Sequence, residues 1–215
     1  VCPVSKDLKQ SMIDFGLQGR YFPVPNVVDT NVFNCSKNLK KDSFKIIHVS
    51  NMLDKQKNIS GILNVVRKLQ DSIAQFEFLL IGEDSIKYTE EADKLGILSQ
   101  NISFINHISH QELTEQLRDA SLFVLFSNYE NLPCVILESF ASGTPVISTD
   151  VGGIKEYFPT NFGQLVPVNS ETKLLDAIIA FYNKKHQIAT PESMHTYVIE
   201  HFSKQKTCAT FTELY

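Results

Sequence analysis

Residues Tyr129 to Gly153 read Y-E-N-L-P-C-V-I-L-E-S-F-A-S-G-T-P-V-I-S-T-D-V-G-G, and the rest of the chain can be placed around them. Immediately upstream, Leu122-Phe-Val-Leu-Phe126 is wholly apolar, as a strand buried on both faces of a parallel sheet requires. A polar loop follows from Ser127 to Leu132, and then Pro133. Proline suits a first helical turn, where its missing N–H would have been unpaired anyway. The helix this predicts runs to about Ser142 and stops at Gly143; Pro145-Val-Ile-Ser148 then opens another buried strand.

This unit sets two carboxylates around one helix N-terminus. Glu130 lies in the loop before it, and Glu138 lies about 7–8 Å along the axis from Pro133 at 1.5 Å per residue. Free N–H groups and the positive end of the helix dipole attract an anion there. A ligand with a central diphosphate and hydroxyl-rich groups at both ends, a nucleotide sugar, satisfies the arrangement. On spacing alone, the simpler reading is a solvated loop glutamate and a helix-surface charge.

The residues E-N-L-P-C-V-I-L-E-S-F-A-S-G-T-P-V-I-S-T-D-V-G-G-I-K-E resemble the E-x7-E signature of the group 1 retaining glycosyltransferases. The likeness runs past both glutamates through the small-residue turn, the T-D strand end and the G-G-x-x-E segment. It implies the C-terminal half of a GT-B glycosyltransferase, a Rossmann-like fold, with many relatives building bacterial surface polysaccharides.

Composition is compatible with that. The chain has 215 residues, 43% apolar and 20% charged, enough for one substantial core. A net charge of −4 gives no footprint for nucleic acid. No apolar run approaches 18 residues and no charged-then-apolar leader is present, so neither a membrane span nor a signal peptide is expected. Four scattered cysteines and six histidines without ligand spacing predict reduced thiols, a cytoplasmic location and no metal. There is no internal repeat. The opening Val1-Cys-Pro-Val4, without an initiator Met, reads as the end of a strand in a piece of a longer protein.

Strands alternating with helices every 25 residues or so predict an α/β, doubly wound parallel sheet of about six strands. The expected strands are Phe44–Ser50, Phe76–Ile81, Ile102–Ile105, 122–126, 145–148 and Gly163–Val166. Ser5 caps a predicted helix carrying Leu8, Met12 and Phe15. Asn34 to Ser43 reads as an exposed lysine-bearing loop, and Asn51 to Asn58 as a loop before a helix with Ile59, Ile62, Leu63, Val66 and Leu69 on one face. Further helices are expected around Ile86–Leu95, after a Ser109/Glu112 capping box, and over 170–182, 191–201 and 204–214. By the resemblance, 1–20 ends an N-terminal acceptor domain, and 21–43 is a linker whose Pro25-Asn-Val-Val-Asp29 and Phe33 resemble P-N-G-V-D-x-x-x-F. Residues 44–200 then bind the nucleotide sugar, and 201–215 form a helix crossing back.

Ligands of such sheets sit beyond the carboxyl ends of the strands. Lys57, after the first strand, is the candidate cation for the diphosphate; its simpler reading is a solvated lysine beside Lys55. By the resemblance, Glu138 holds ribose hydroxyls and Glu130 sugar hydroxyls. The amides of Asn131, Leu132 and Cys134 face the phosphates, Gly82 admits the ligand backbone-close, and His107 and Ile108 meet the base. Gly152 and Gly153 read as turn formers. Relatives carry an Arg where this chain has Asn51, which cannot offset phosphate charge.

The implied reaction is hexose transfer from a UDP- or GDP-linked sugar with no metal. The acceptor, a saccharide or lipid-linked glycan, is held mainly by the other domain, and the full-length enzyme is compatible with peripheral membrane association. The fragment alone is expected to transfer nothing. The sequence also admits two rivals, a nucleotide-sugar epimerase and a non-catalytic binding or scaffold module.

Overall fold

A computed structural model describes residues 1–35 and 43–214; most of the loop expected over Asn34–Ser43 lies outside the described residues. Six strands, β1 (Lys45–Val49), β2 (Glu77–Ile81), β3 (Ile102–Ile105), β4 (Leu122–Leu125), β5 (Val146–Thr149) and β6 (Gly163–Val166), form one sheet. Its order is β3-β2-β1-β4-β5-β6, and every pairing is parallel. This is the doubly wound order, in which the chain reverses its direction of travel between β1 and β4.

Alternate residues of the central strands enter opposite cores. Ile46, Phe78, Leu80, Leu122, Val124 and Ile147 join one cluster; Ile47, Leu79, Ile81, Phe123, Leu125 and Val146 join the other. Both faces are covered, which is why both alternating sets are apolar. Helices α3 (Ile59–Leu69) and α7 (Glu171–Tyr182) cover the first face. On the second, α6 (Cys134–Ala141) packs on α8 (Pro191–Phe202), beside α5 (His110–Asp119). The capping box holds in both directions: the Glu112 N–H donates to Ser109 Oγ, and the Ser109 N–H to the Glu112 carboxylate.

Three local expectations change. The loop after β1 contains one helical turn, α2 (Asp54–Lys57), which ends because Asn58 takes φ 51°, a left-handed conformation that asparagine tolerates. The Asn58 side chain then caps α3 by accepting from the Gly61 N–H. The helix expected from Ile86 begins as a 3-10 turn over Ser85–Tyr88 and becomes α4 (Thr89–Lys94). Val1–Val4 is not a strand: its partner is the 20–24 segment rather than a sheet, through Phe22 N–H to Val1 O at 3.0 Å and Val24 N–H to Pro3 O at 2.9 Å.

The segment expected as a linker is packed over its described residues. Val28 and Phe33 are buried in the second core. The Val28 N–H donates to Phe202 O at 2.9 Å, and Asp29 pairs with Lys204, the first residue of α9 (Lys204–Thr212). Helix α1 (Lys6–Asp14) buries no side chain of its own and is held at its start. Ser5 is fully buried against Gly153, and both Glu156 carboxylate oxygens accept backbone N–H groups, from Asp7 at 2.8 Å and Lys6 at 2.9 Å. Glu156→Ala should therefore loosen α1 first. Losing such a cap costs about 1 kcal/mol, so exchange of the Lys9–Asp14 amides should quicken several-fold while the sheet amides stay protected. Unchanged exchange in α1 would refute the anchor.

No helix among the described residues is long and apolar enough to cross a membrane.

Candidate functional site

A cleft of about 470 Å³ opens beyond the carboxyl ends of β1, β2 and β4, where the sheet reverses direction. It gathers Asn51, Lys57, Gly82, His107, Ile108, Glu130, Cys134 and Glu138 from five separate loops and helix starts. Asn131 and Leu132 line a second hollow, of about 490 Å³, which shares Glu130 and Pro133 with the first. Leu132 itself is buried in the second core, so a ligand can meet it through its backbone alone.

Lys57 is not a solvated lysine. As the last residue of α2 it turns inward onto Glu130, and the two side chains are 11% and 7% exposed. Glu130 Oε1 accepts from Lys57 Nζ and from Ser127 Oγ (2.7 Å for the serine), while Oε2 has no partner among the described residues. An ammonium has three N–H donors, so the pair leaves donors on Lys57 and an acceptor on Glu130 for a ligand. Ser127 is itself fixed, because Thr149 Oγ1 at the end of β5 donates to its carbonyl at 2.7 Å.

The loop between Tyr129 and Pro133 is ordered by its carbonyls. Gly153 N–H donates to Asn131 O at 2.8 Å, Asn26 Nδ2 to Leu132 O at 2.6 Å, and Gln56 Nε2 reaches Tyr129 O at 3.4 Å. The Glu130 carbonyl abuts Gly152, where a Cβ would lie 1.9 Å away. A trans peptide points its C=O and the following N–H in opposite directions. Holding the Glu130 and Asn131 carbonyls thus aims the Asn131 and Leu132 amides the other way. Neither of these amides meets an acceptor among the described residues, and the Cys134 amide meets only its own thiol.

Glu138, on α6, is half-buried at the cleft wall without a hydrogen bond to its carboxylate among the described residues. Burial raises it from 4.5 to about 7. Partial burial, with the Glu138 carboxylate second, pushes the Cys134 thiol above its usual range, so it stays protonated at neutral pH. Asn51 is engaged locally: its Oδ1 accepts from the Leu53 N–H at 3.2 Å. Gly82 is required by the close approach of two strand ends, since a Cβ there would stand 1.9 Å from Ser50 O. Among the described residues, no three His, Cys, Asp or Glu side chains gather into a metal-binding group.

Other supports were not visible in the sequence. His48 is fully buried on β1, and burial pushes it down to about 4, so its ring is neutral at neutral pH. A carbonyl only accepts, so Nδ1–H donates to Val124 O at 2.9 Å, and Nε2 accepts from Ser50 Oγ at 2.8 Å. Ser50 Oγ in turn accepts the Met52 N–H at 3.1 Å, fixing the loop that carries Asn51. The one available signal was a histidine inside an apolar strand, Ile46-Ile-His-Val49.

Comparison with known proteins gives the fold and the family. The chain is 27% identical over 143 residues, 63% of this chain and 24% of the relative, to the Vi polysaccharide biosynthesis protein VipC/TviE of Salmonella typhi. Sucrose-phosphate synthase from Thermosynechococcus elongatus superposes with a TM-score of 0.87 at 22% identity, over 100% of this chain and 57% of that one. Anabaena HepE in complex with UDP-glucose gives 0.81 at 18% identity, over 99% and 63%. These likenesses show the fold, that of GT-B glycosyltransferases. The chain spans about a fifth to a half of the length of these curated relatives. The family model for "Glycosyl transferases group 1" matches residues 33–201, most of the sequence, and the chain belongs to that family.

Proposed function

We propose that this chain is the donor-binding part of a retaining hexosyltransferase that takes a sugar from a UDP- or GDP-linked donor during polysaccharide or glycoconjugate synthesis in the cytoplasm. The observation that carries this reading is the loop before α6. Its carbonyls are held by other segments and its amides are left open between Glu130, Glu138 and the Lys57 ammonium. Those amides and Lys57 would receive the diphosphate, stabilising the departing nucleoside diphosphate by preset donors. Glu138 would accept from the ribose hydroxyls and Glu130 Oε2 from the sugar. The acceptor hydroxyl would attack on the face from which the phosphate leaves, held mainly by the remainder of the protein. HepE, of the same fold, was crystallised with UDP-glucose, which supports a nucleotide-sugar donor. The scaffold alternative draws on Asn51, an uncharged residue whose side-chain oxygen is engaged by the Leu53 N–H.

Calorimetry of UDP, GDP and UDP-glucose across pH 6–8 tests the reading. Ribose hydroxyls donate to a carboxylate, and Glu138 loses its proton near 7, so UDP-glucose affinity should rise with pH. Glu138→Gln should bind more weakly and with a flat profile. The unliganded protein should behave oppositely. Folded Glu138 (about 7) holds its proton more tightly than the unfolded group (4.5). The contribution of Glu138 to stability is therefore greatest below 4.5 and is lost, by up to about 3 kcal/mol, as pH rises through 7. Absence of binding by UDP, GDP and UDP-glucose would favour the scaffold.

A further inference from the structure

Asn26 lies in the linker, outside the cleft, yet its side chain reaches across 106 positions of sequence to the donor loop. Asn26 Nδ2 donates to Leu132 O at 2.6 Å, a part-buried bond. The residue after Leu132 is Pro133, which has no N–H. No donor of the loop itself can therefore fix this peptide plane from its nitrogen side; among the described residues its one hydrogen bond is the one from Asn26. Through Pro133, whose ring fixes φ, this plane helps set the direction of the Cys134 amide that opens α6.

The linker around Asn26 is anchored on its other side. Val28 bridges to Ser203 and donates to Phe202 O at 2.9 Å, and Asp29 pairs with Lys204. Asn26 thus stands between the break separating α8 from α9 and the loop whose amides face the cleft. We propose that Asn26 is a positioning residue for the nucleotide: it turns the Leu132–Pro133 peptide so that the loop amides meet the diphosphate, and it ties donor affinity to the placement of the linker. By linkage, whatever the linker does to the loop, a bound nucleotide does to the linker.

The inference rests on the cleft being a nucleotide site, and the experiment separates the two. UDP and GDP binding is measured by calorimetry for the full-length enzyme and for Asn26→Ala and Asn26→Asp, alongside melting temperature without nucleotide and the donor KM and kcat. Asn26→Asp keeps the shape but sets a carboxylate oxygen against Leu132 O, and Asn26→Ala removes the donor without adding charge, so a loss common to both reports the donated bond. Both variants should bind the nucleotide roughly 3- to 10-fold more weakly, the scale of one hydrogen bond, with donor KM rising by more than kcat falls. A purely structural role would lower the melting temperature and leave the affinity of the folded protein unchanged, and that result overturns the proposal. So does weakening in Asn26→Ala alone, because the donated bond would then not be what matters. If the unaltered enzyme binds neither UDP nor GDP, the nucleotide reading itself fails.

Discussion

Lys57→Met should destabilise the protein by about 3 kcal/mol and, in the full-length enzyme, reduce the proposed sugar transfer by at least about 100-fold, whereas Lys57→Met with Glu130→Gln should recover most of the stability and none of the activity. Both side chains are nearly enclosed. Removing one partner of a buried ion pair strands the other charge, typically at a cost of about 3–5 kcal/mol. The low end applies because Ser127 Oγ still donates to the remaining carboxylate, and a hydrogen bond to a charged group contributes about 1.5–3 kcal/mol. In the double variant no charge is stranded, and an amide at 130 can still accept from Ser127. Activity should follow the ammonium instead, since deleting one preset donor to a developing charge costs about 10²–10³ in rate. Denaturant unfolding of the wild type, both single variants and the double variant closes the cycle. A Lys57→Met protein within about 0.5 kcal/mol of wild type, the scatter typical of exposed sites, would show that the pair is open to solvent.

The sequence shows the members of this pair but not the pairing. Lys57 and Glu130 are both legible as cleft residues, because each follows a strand in a doubly wound sheet. Their mutual pairing is not legible, since it depends on the extra turn of α2 and on where Asn58 ends it. The strands were readable to within a residue or two, because burial on both faces leaves an unbroken apolar run such as Leu122–Phe126. Glu138 was readable as a carboxylate at a helix start, but its raised proton affinity comes from packing that no spacing reveals. The contacts of Asn26 with Leu132 and of Glu156 with α1 join residues more than 100 positions apart, and local sequence patterns carry no information at that range. The packing of the expected linker was not legible because prolines and polar residues interrupt its apolar ones, yet Val28 and Phe33 are core residues.

Gly152→Ala should be the more damaging of two neighbouring glycine substitutions for donor binding, with a loss in kcat/KM of about 100-fold. The comparison is with Gly153→Ala. Gly152 has φ 55°, and a Cβ there would lie 1.9 Å from the Glu130 carbonyl oxygen and 2.8 Å from its carbonyl carbon. Left-handed backbone costs an alanine about 1–2 kcal/mol, but the collision matters more. The carbonyl it strikes is the one whose orientation aims the Asn131 amide and carries the Glu130 side chain, so the loop must retreat by about 1 Å or more. A misplacement of that size at a reacting centre costs about 10²-fold. At Gly153 a new Cβ would instead meet Ser5 Cβ first, at 2.3 Å, and the N–H that holds Asn131 O is retained on substitution. Strain from Gly153→Ala therefore falls first on the anchor of α1, with faster amide exchange there and a smaller change in nucleotide affinity. Measuring UDP affinity and α1 exchange in both variants separates the outcomes. Equal losses of affinity would mean that the two glycines act as one turn, and that the donor loop is not braced carbonyl by carbonyl.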